Sequence, residues 1–184
     1  MCFKTDSEKS RRAFDKFTRH ALNRHFDGNK LIRSFEGSQD PVERELDLKH
    51  SIDGVVVDRD DWAHYFASRV QFGKYYGTFT VRGYRPTGTA TEIHKLRREE
   101  GAKPEFHVQT YVDGDGRGAV IGIVETAELL PYIDRHKPEM KFARDGGQGF
   151  YPVPFADLAG VRVYYVDACG NVTDVTAKVK ASAA

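Results

Sequence analysis

Cysteine is nearly missing from this chain. Cys2 and Cys169 are the only two among 184 residues, they stand at opposite ends, and neither belongs to a CxxC pair or to a Cys/His cluster at zinc spacing. A disulfide scaffold and a zinc ribbon are excluded, and a reducing compartment is expected. Long apolar runs are missing as well. No stretch approaches the roughly 20 apolar residues of a membrane span, and the opening MCFKTDSEKSRR lacks the apolar core of a signal peptide. The expectations are no membrane association and a cytoplasmic location.

Several catalytic signatures are absent too. There is no GxxxxGK[ST] loop, no GxGxxG after a strand, no HExxH and no GxSxG, which argues against P-loop nucleotide hydrolysis, dinucleotide redox, zinc proteolysis and serine esterase chemistry. The seven histidines are scattered, with no two at a metal spacing on one helix or strand face. DGDG at 113–116 lacks the other ligand positions of a calcium loop and suits a tight hairpin turn.

What is present is an ordinary globular composition, 40% hydrophobic and 30% charged, in a chain long enough for one substantial core. We expect one α+β domain over 1–184, frayed after about 179, whose central, mostly antiparallel or mixed sheet is flanked by an N-terminal helix and two short helices. The sequence leaves the oligomeric state open, a homodimer included.

Net charge is +1, but it is unevenly placed. Residues 1–30 carry eight Lys/Arg against four Asp/Glu, residues 31–65 four against nine, and residues 66–104 eight against three. An acidic block between basic ones suits a metal-dependent nuclease, where carboxylates hold a cation and cations hold phosphates; ordinary surface charge is the other reading.

Along the chain, residues 7–26 form an amphipathic helical pattern with Ser7 as N-cap and Phe14, Phe17, Ala21 and His25 on one face. ERELDLKHSIDGVVVD (43–58) alternates as a strand does. With 65–71 and 75–82 it predicts a three-stranded antiparallel meander. Thr89 and Glu92 have capping-box spacing for a helix running to about Glu100, and pairing of Lys95 with Glu92 and Glu99 would account for its charges without a ligand. EFHVQTYV and AVIGIVE around DGDGRG predict a hairpin. A short helix from Thr126 follows, then a long polar connection, then strands at FYPVPF, VRVYYVD and VTDVTAKV.

The stretch from Glu43 to Arg82 carries the candidate chemistry. Asp53 opens the Val55–Val57 run, and Arg69 and Gln71 fall on one face of the next strand with Val70 on the other. Arg69, Lys74, Arg82 and Arg85 are interleaved with Tyr75, Tyr76, Phe79 and Tyr84, a mixture that suits a nucleic-acid backbone with stacked bases, or a core with a cationic rim. Asp53 before Gly54 also suits a turn, and Glu43, Glu45 and Asp47 also suit the solvent face of an edge strand.

An Asp leading one strand, with polar side chains at i and i+2 on the next, resembles the PD-(D/E)xK, or restriction-endonuclease-like, nuclease superfamily over residues 7–112. The resemblance implies Mg²⁺ or Mn²⁺ bound by the Asp and a second acid, with a lysine orienting the attacking hydroxide. Asp53 matches the family's aspartate in type and context. Where the family has acidic-x-Lys, this chain has Arg69-Val70-Gln71, and the nearest lysine is Lys74. Either Glu43, Glu45 or Asp47 supplies the second acid, or the fold persists without its hydrolytic site. The resemblance therefore implies a hydrolase of DNA or RNA, intact or degenerate, with Asp53, Gln71 and Lys74 catalytic, Asp53, Glu43 and Asp47 on the metal, and Arg69, Arg82 and Arg85 on the nucleic acid. The alternative is a non-catalytic module that binds nucleic acid or a protein, or a structural protein with no small-molecule site.

Overall fold

The apolar stripe of Phe14, Phe17 and Ala21 does form on a long N-terminal helix. In the computed structural model, which describes residues 3–143 and 147–182, α1 (Phe3–Ala13) passes through one π-helical turn (Phe14–Thr18) into α2 (Arg19–His25). The helix begins at Phe3, so Ser7 lies inside it and is not its cap. The wider turn brings Phe14, Phe17 and Thr18 all onto the buried face.

Then come β1 (Leu31–Ser34), α3 (Pro41–His50), β2 (Gly54–Val57), β3 (Ala63–Phe72), β4 (Thr78–Tyr84), α4 (Glu92–Leu96), β5 (Phe106–Val112) and β6 (Gly118–Glu125). The chain continues with α5 (Thr126–His136), β7 (Lys141–Phe142), β8 (Gly149–Pro154), β9 (Arg162–Asp167), β10 (Val172–Asp174) and α6 (Thr176–Ala181). A seven-stranded sheet has the order β1-β2-β3-β5-β6-β9-β10, and a smaller sheet has the order β4-β8-β7. Only β3 and β5 pair in parallel; every other neighbour is antiparallel. The fold is therefore α+β with a mixed sheet.

Several further local expectations are corrected. Residues 41–50 are helix, not strand, because Asp40 caps the backbone N–H groups of Val42 and Glu43 and Pro41 sits at the first helical position. The antiparallel meander is β1-β2-β3 instead, since β4 leaves for the second sheet and pairs with β8. Helix α4 is capped by Thr91 with His94, not by Thr89 with Glu92, and it stops at Leu96, so Glu99 is not on it. The DGDGRG hairpin forms as expected, with the Asp113 carboxylate accepting from the Arg117 N–H. At the C-terminus β10 is short, and residues 176–181 form α6 where a strand and a fray were expected. Part of the polar connection expected after α5, residues 144–146, lies outside the described residues, as does Cys2.

Two apolar layers fix the large sheet. On one side Phe14, Phe17, Ala21 and Leu22 pack on Phe66, Val108, Ile121 and Ile123. On the other, Phe79 and Val81 of β4 join Val153, Phe155, Ile93, Leu96 and Leu129. Gly54 is required where β2 begins, because a Cβ there would lie 2.3 Å from the Phe66 ring. Strand β2 reaches only as far as the Gly54–Phe66 pair, whereas β3 continues against β5 to Phe72. The far edge of β3 beyond Phe66 thus has no strand beside it, and the site lies there.

Candidate functional site at the open edge of β3

Asp53 occupies the place that the next residue of a longer β2 would have taken. Its N–H donates to the Phe66 carbonyl at 2.8 Å, and its carboxyl accepts from the Ser68 N–H at 2.6 Å, so the side chain supplies a rung of the ladder on β3. It is not a turn residue bonded to its own backbone. The residue is part-buried at the cavity; desolvation of the carboxyl first, then the Asp47 and Glu92 carboxylates, push it up to about 8. Asp47, projecting from α3, borders the same cavity, and it too is shifted upward, by its partial burial. Like charges side by side disfavour ionisation of both carboxyls, which adds to the upward shift of Asp53.

The pair borders a cavity of about 380 Å³. Ser10 and Phe14 of the N-terminal helix form one wall, Ser68, Arg69 and Val70 of β3 another, and Phe79, Thr80 and Arg82 of β4 a third. Arg85, Glu92 and Lys95 also face the cavity, as do His107 and Gln109 of β5.

Glu92 is the hub of the cationic wall. One carboxylate oxygen accepts from His107 Nε2 at 3.0 Å; the other accepts from Arg69 Nη2 and from the Arg82 N–H, both at 2.9 Å. Burial alone would raise Glu92, but Arg69, His107 and the Arg82 N–H outweigh it and hold it at about 2. Behind it, Thr126 bonds His107 Nδ1 at 2.9 Å, and Gln109 Oε1 accepts from the Thr80 hydroxyl at 2.9 Å. Lys95 Nζ is directed at the Asp47 and Leu48 carbonyls that end α3.

The expected residues divide into two groups. Asp53, Asp47, Arg69, Arg82 and Arg85 all come to the cavity. Glu43, Gln71 and Lys74 are not among its lining residues. Glu43 is held by Arg33 at 2.8 Å and by the Ser38 hydroxyl at 2.5 Å, Gln71 accepts weakly from Gln109, and Lys74 stands over the Tyr76 ring at 5.2 Å. Glu92, which its expected helix neighbours seemed to explain, bonds across to β3, β4 and β5 instead. Lys95, His107 and Gln109 went unremarked as site residues. For His107 and Gln109 the available signal was polar residues alternating with Val in an otherwise apolar strand.

Among the described residues no group of three or more His, Cys, Asp or Glu side chains is arranged to hold a metal ion, and no helix is long and apolar enough to cross a membrane. Comparison with known protein families, with characterised proteins and with solved structures finds no match to this chain.

Proposed function

We propose that this chain is a divalent-cation-assisted phosphodiesterase acting on nucleic acid in the cytoplasm, built on a restriction-endonuclease-like core with an altered acidic-x-Lys motif. One observation carries the reading: the Asp47–Asp53 pair lies at the free edge of β3 in a cavity shared with Arg69, Arg82, Arg85 and Lys95. A helix, three antiparallel strands with α3 inserted after the first, then β4, a short helix and a strand parallel to β3 support the choice of core.

Two carboxylates are a sufficient protein donor set for Mg²⁺, which commonly takes one or two carboxylates together with substrate phosphate and water. Asp47 and Asp53 would hold Mg²⁺ or Mn²⁺ once Asp53 has lost its proton; the bound ion would supply Lewis-acid polarisation of the phosphoryl group and a more acidic water. Arg69, fixed by Glu92, orients the phosphate together with Arg82 and Arg85. Lys95 takes the electrostatic role that the resemblance assigned to Lys74. Glu92 is no ligand in this reading, because three donors already occupy its oxygens.

The second reading, a non-catalytic nucleic-acid module, is favoured by the same full occupation of Glu92, which removes one of the four carboxylates lining the cavity (Glu36, Asp47, Asp53 and Glu92) from reach of a cation. Titration of Mg²⁺ and Mn²⁺ into the wild type and Asp53→Asn, with cleavage assays on single- and double-stranded DNA and RNA, separates the two. Metal binding that the substitution abolishes, with metal-dependent cutting, supports the hydrolase; salt-sensitive binding without metal uptake or turnover establishes the module in its place.

A further inference from the structure

Two of the four cations in the cavity are already engaged. Arg69 is tied to Glu92, and Lys95 to the carbonyls at the end of α3. Arg82 and Arg85 are not. Neither side chain makes a hydrogen bond or an ion pair with any described residue, and Arg82 Nε is buried with no acceptor. The nearest aromatic surface offers Arg82 only a ring, that of Phe150 at 5.8 Å.

Local backbone irregularity brings these two guanidinium groups together. In a regular strand, residues 82 and 85 would point to opposite faces. The pairing of β4 with β8 shifts register between Arg82 and Tyr84, and Gly83 lies so close to the Tyr151 ring that a Cβ would come within 2.4 Å of it. The bulge turns the strand end, and Arg82 and Arg85 both border the cavity. Their mutual repulsion shows in Arg82, which burial, then Arg69 and Arg85, lower to about 10.

We propose that Arg82 and Arg85 form a receptor for a terminal phosphate, so that the cavity takes the phosphorylated end of a nucleotide chain and not its interior. The inference rests on the phosphodiesterase reading for the chemical class of its ligand. Charge matching supports it: a phosphomonoester, with a second pKa near 6, carries about two negative charges at neutral pH, whereas an internal diester carries one. Two free guanidinium groups, each able to bond phosphate oxygens in bidentate fashion, neutralise the first and over-neutralise the second. Size supports it as well. A cavity of about 380 Å³, walled by the N-terminal helix, β3 and β4, has the capacity of a small-molecule pocket and not of a groove for a duplex.

The test is binding without any divalent cation. Fluorescence anisotropy in EDTA would compare short single-stranded oligonucleotides bearing a 5′-phosphate, a 3′-phosphate or only hydroxyl ends. One phosphorylated end should bind about tenfold more tightly than the hydroxyl oligonucleotide, the discrimination expected of one charged hydrogen-bonding group. Arg82→Gln/Arg85→Gln should erase that preference, so that phosphorylated and hydroxyl oligonucleotides bind the variant with equal affinity. Arg85→Gln alone, at a half-exposed position, should reduce it if the double variant does not fold. Competition by a mononucleotide assigns the receptor to free nucleotides as well as strand ends, and failure to compete assigns it to strand ends; both outcomes keep the terminal phosphate. Equal affinity for phosphorylated and hydroxyl ends, or a preference that survives in the variants, overturns the proposal. Because no cation is present, absence of cleavage in a separate Mg²⁺ assay would count against the phosphodiesterase alone.

Discussion

The two faces of the β3–β5 pair are built from alternate residues of the same strands, yet they are stabilised in opposite ways. Towards the N-terminal helix stand Phe66, Val70, Val108 and Val112, joined by dispersion and exclusion of water. Towards the second sheet stand Arg69, His107 and Gln109. His107 is 5% exposed and Gln109 1%, as buried as Val108 at 2%. Equal burial therefore does not mean equal chemistry: the apolar face tolerates small rearrangement, while the polar face is stable only when each donor and acceptor is matched. The polar face is accordingly the costlier one to build, and it supplies the cavity with its cationic wall.

That contrast can be broken first from the apolar side. Phe17→Ala, emptying a fully buried site beneath the sheet, should cost about 4 kcal/mol in urea unfolding while leaving the geometry of the cavity unchanged. On the polar side, Glu92→Gln should cost about 3 kcal/mol, because Arg69 and His107 lose a buried anion. The two differ in pH dependence. Glu92 is held below its ordinary value, so its contribution is present above about pH 4.5 and is lost as the pH falls toward 2; Phe17→Ala should leave that acid limb intact and Glu92→Gln should flatten it.

Asp53 has the opposite sign. Its proton is held to about pH 8 in the folded state but only to about 4 in the unfolded chain. Stability conferred by this group therefore declines as the pH rises between those values, and Asp53→Asn should remove the decline, which thermal unfolding at pH 5 and pH 8 would measure. Any cation uptake by the pair should release a proton below pH 8 and tighten with rising pH, as calorimetry in two buffers of different ionisation enthalpy would detect. The smallest effect is expected at Lys74. Its exposed amine lies outside the cavity, and Lys74→Ala should change stability by less than about 0.5 kcal/mol and leave any turnover unaltered.

Much of the cavity was legible in the chain, for identifiable reasons. Asp53 before a Val run and Arg69 on the next strand could be read because strand alternation fixes which residues share a face; Arg82 and Arg85 could be read only as a basic series, since it is the irregularity after Arg82 that leaves both at the cavity. The Asp-Gly pairs of 113–116 made the hairpin plain. Helix α3 was hidden because charged and apolar residues alternate through it, although Asp40-Pro41 is a helix start. Glu92 was misread because its helix was drawn too long, which placed Glu99 and Lys95 beside it as sufficient partners. His107 and Gln109 escaped for a more general reason. Polar residues at alternate strand positions ordinarily face water, and periodicity cannot distinguish water from a second sheet that covers them. The departure of β4 into that sheet was equally hidden, since its loop from β3, with Gly73 and Gly77 both at positive φ, does not encode which partner β4 will choose.

Helix α3 buries none of its residues. It is secured at its edges, by the Arg33–Glu43 ion pair, by Lys95 on its last carbonyls and by His50 donating to the Ala102 carbonyl. Contacts of this kind are readily replaced by water, so the helix opens at a lower free energy than the strands beneath it, and its amide protons exchange with solvent well before those of β5 and β6. Asp47 travels with α3, whereas Asp53 is anchored to β3. The juxtaposition of the two carboxyls is therefore lost with the fraying of one surface helix and not with the unfolding of the core.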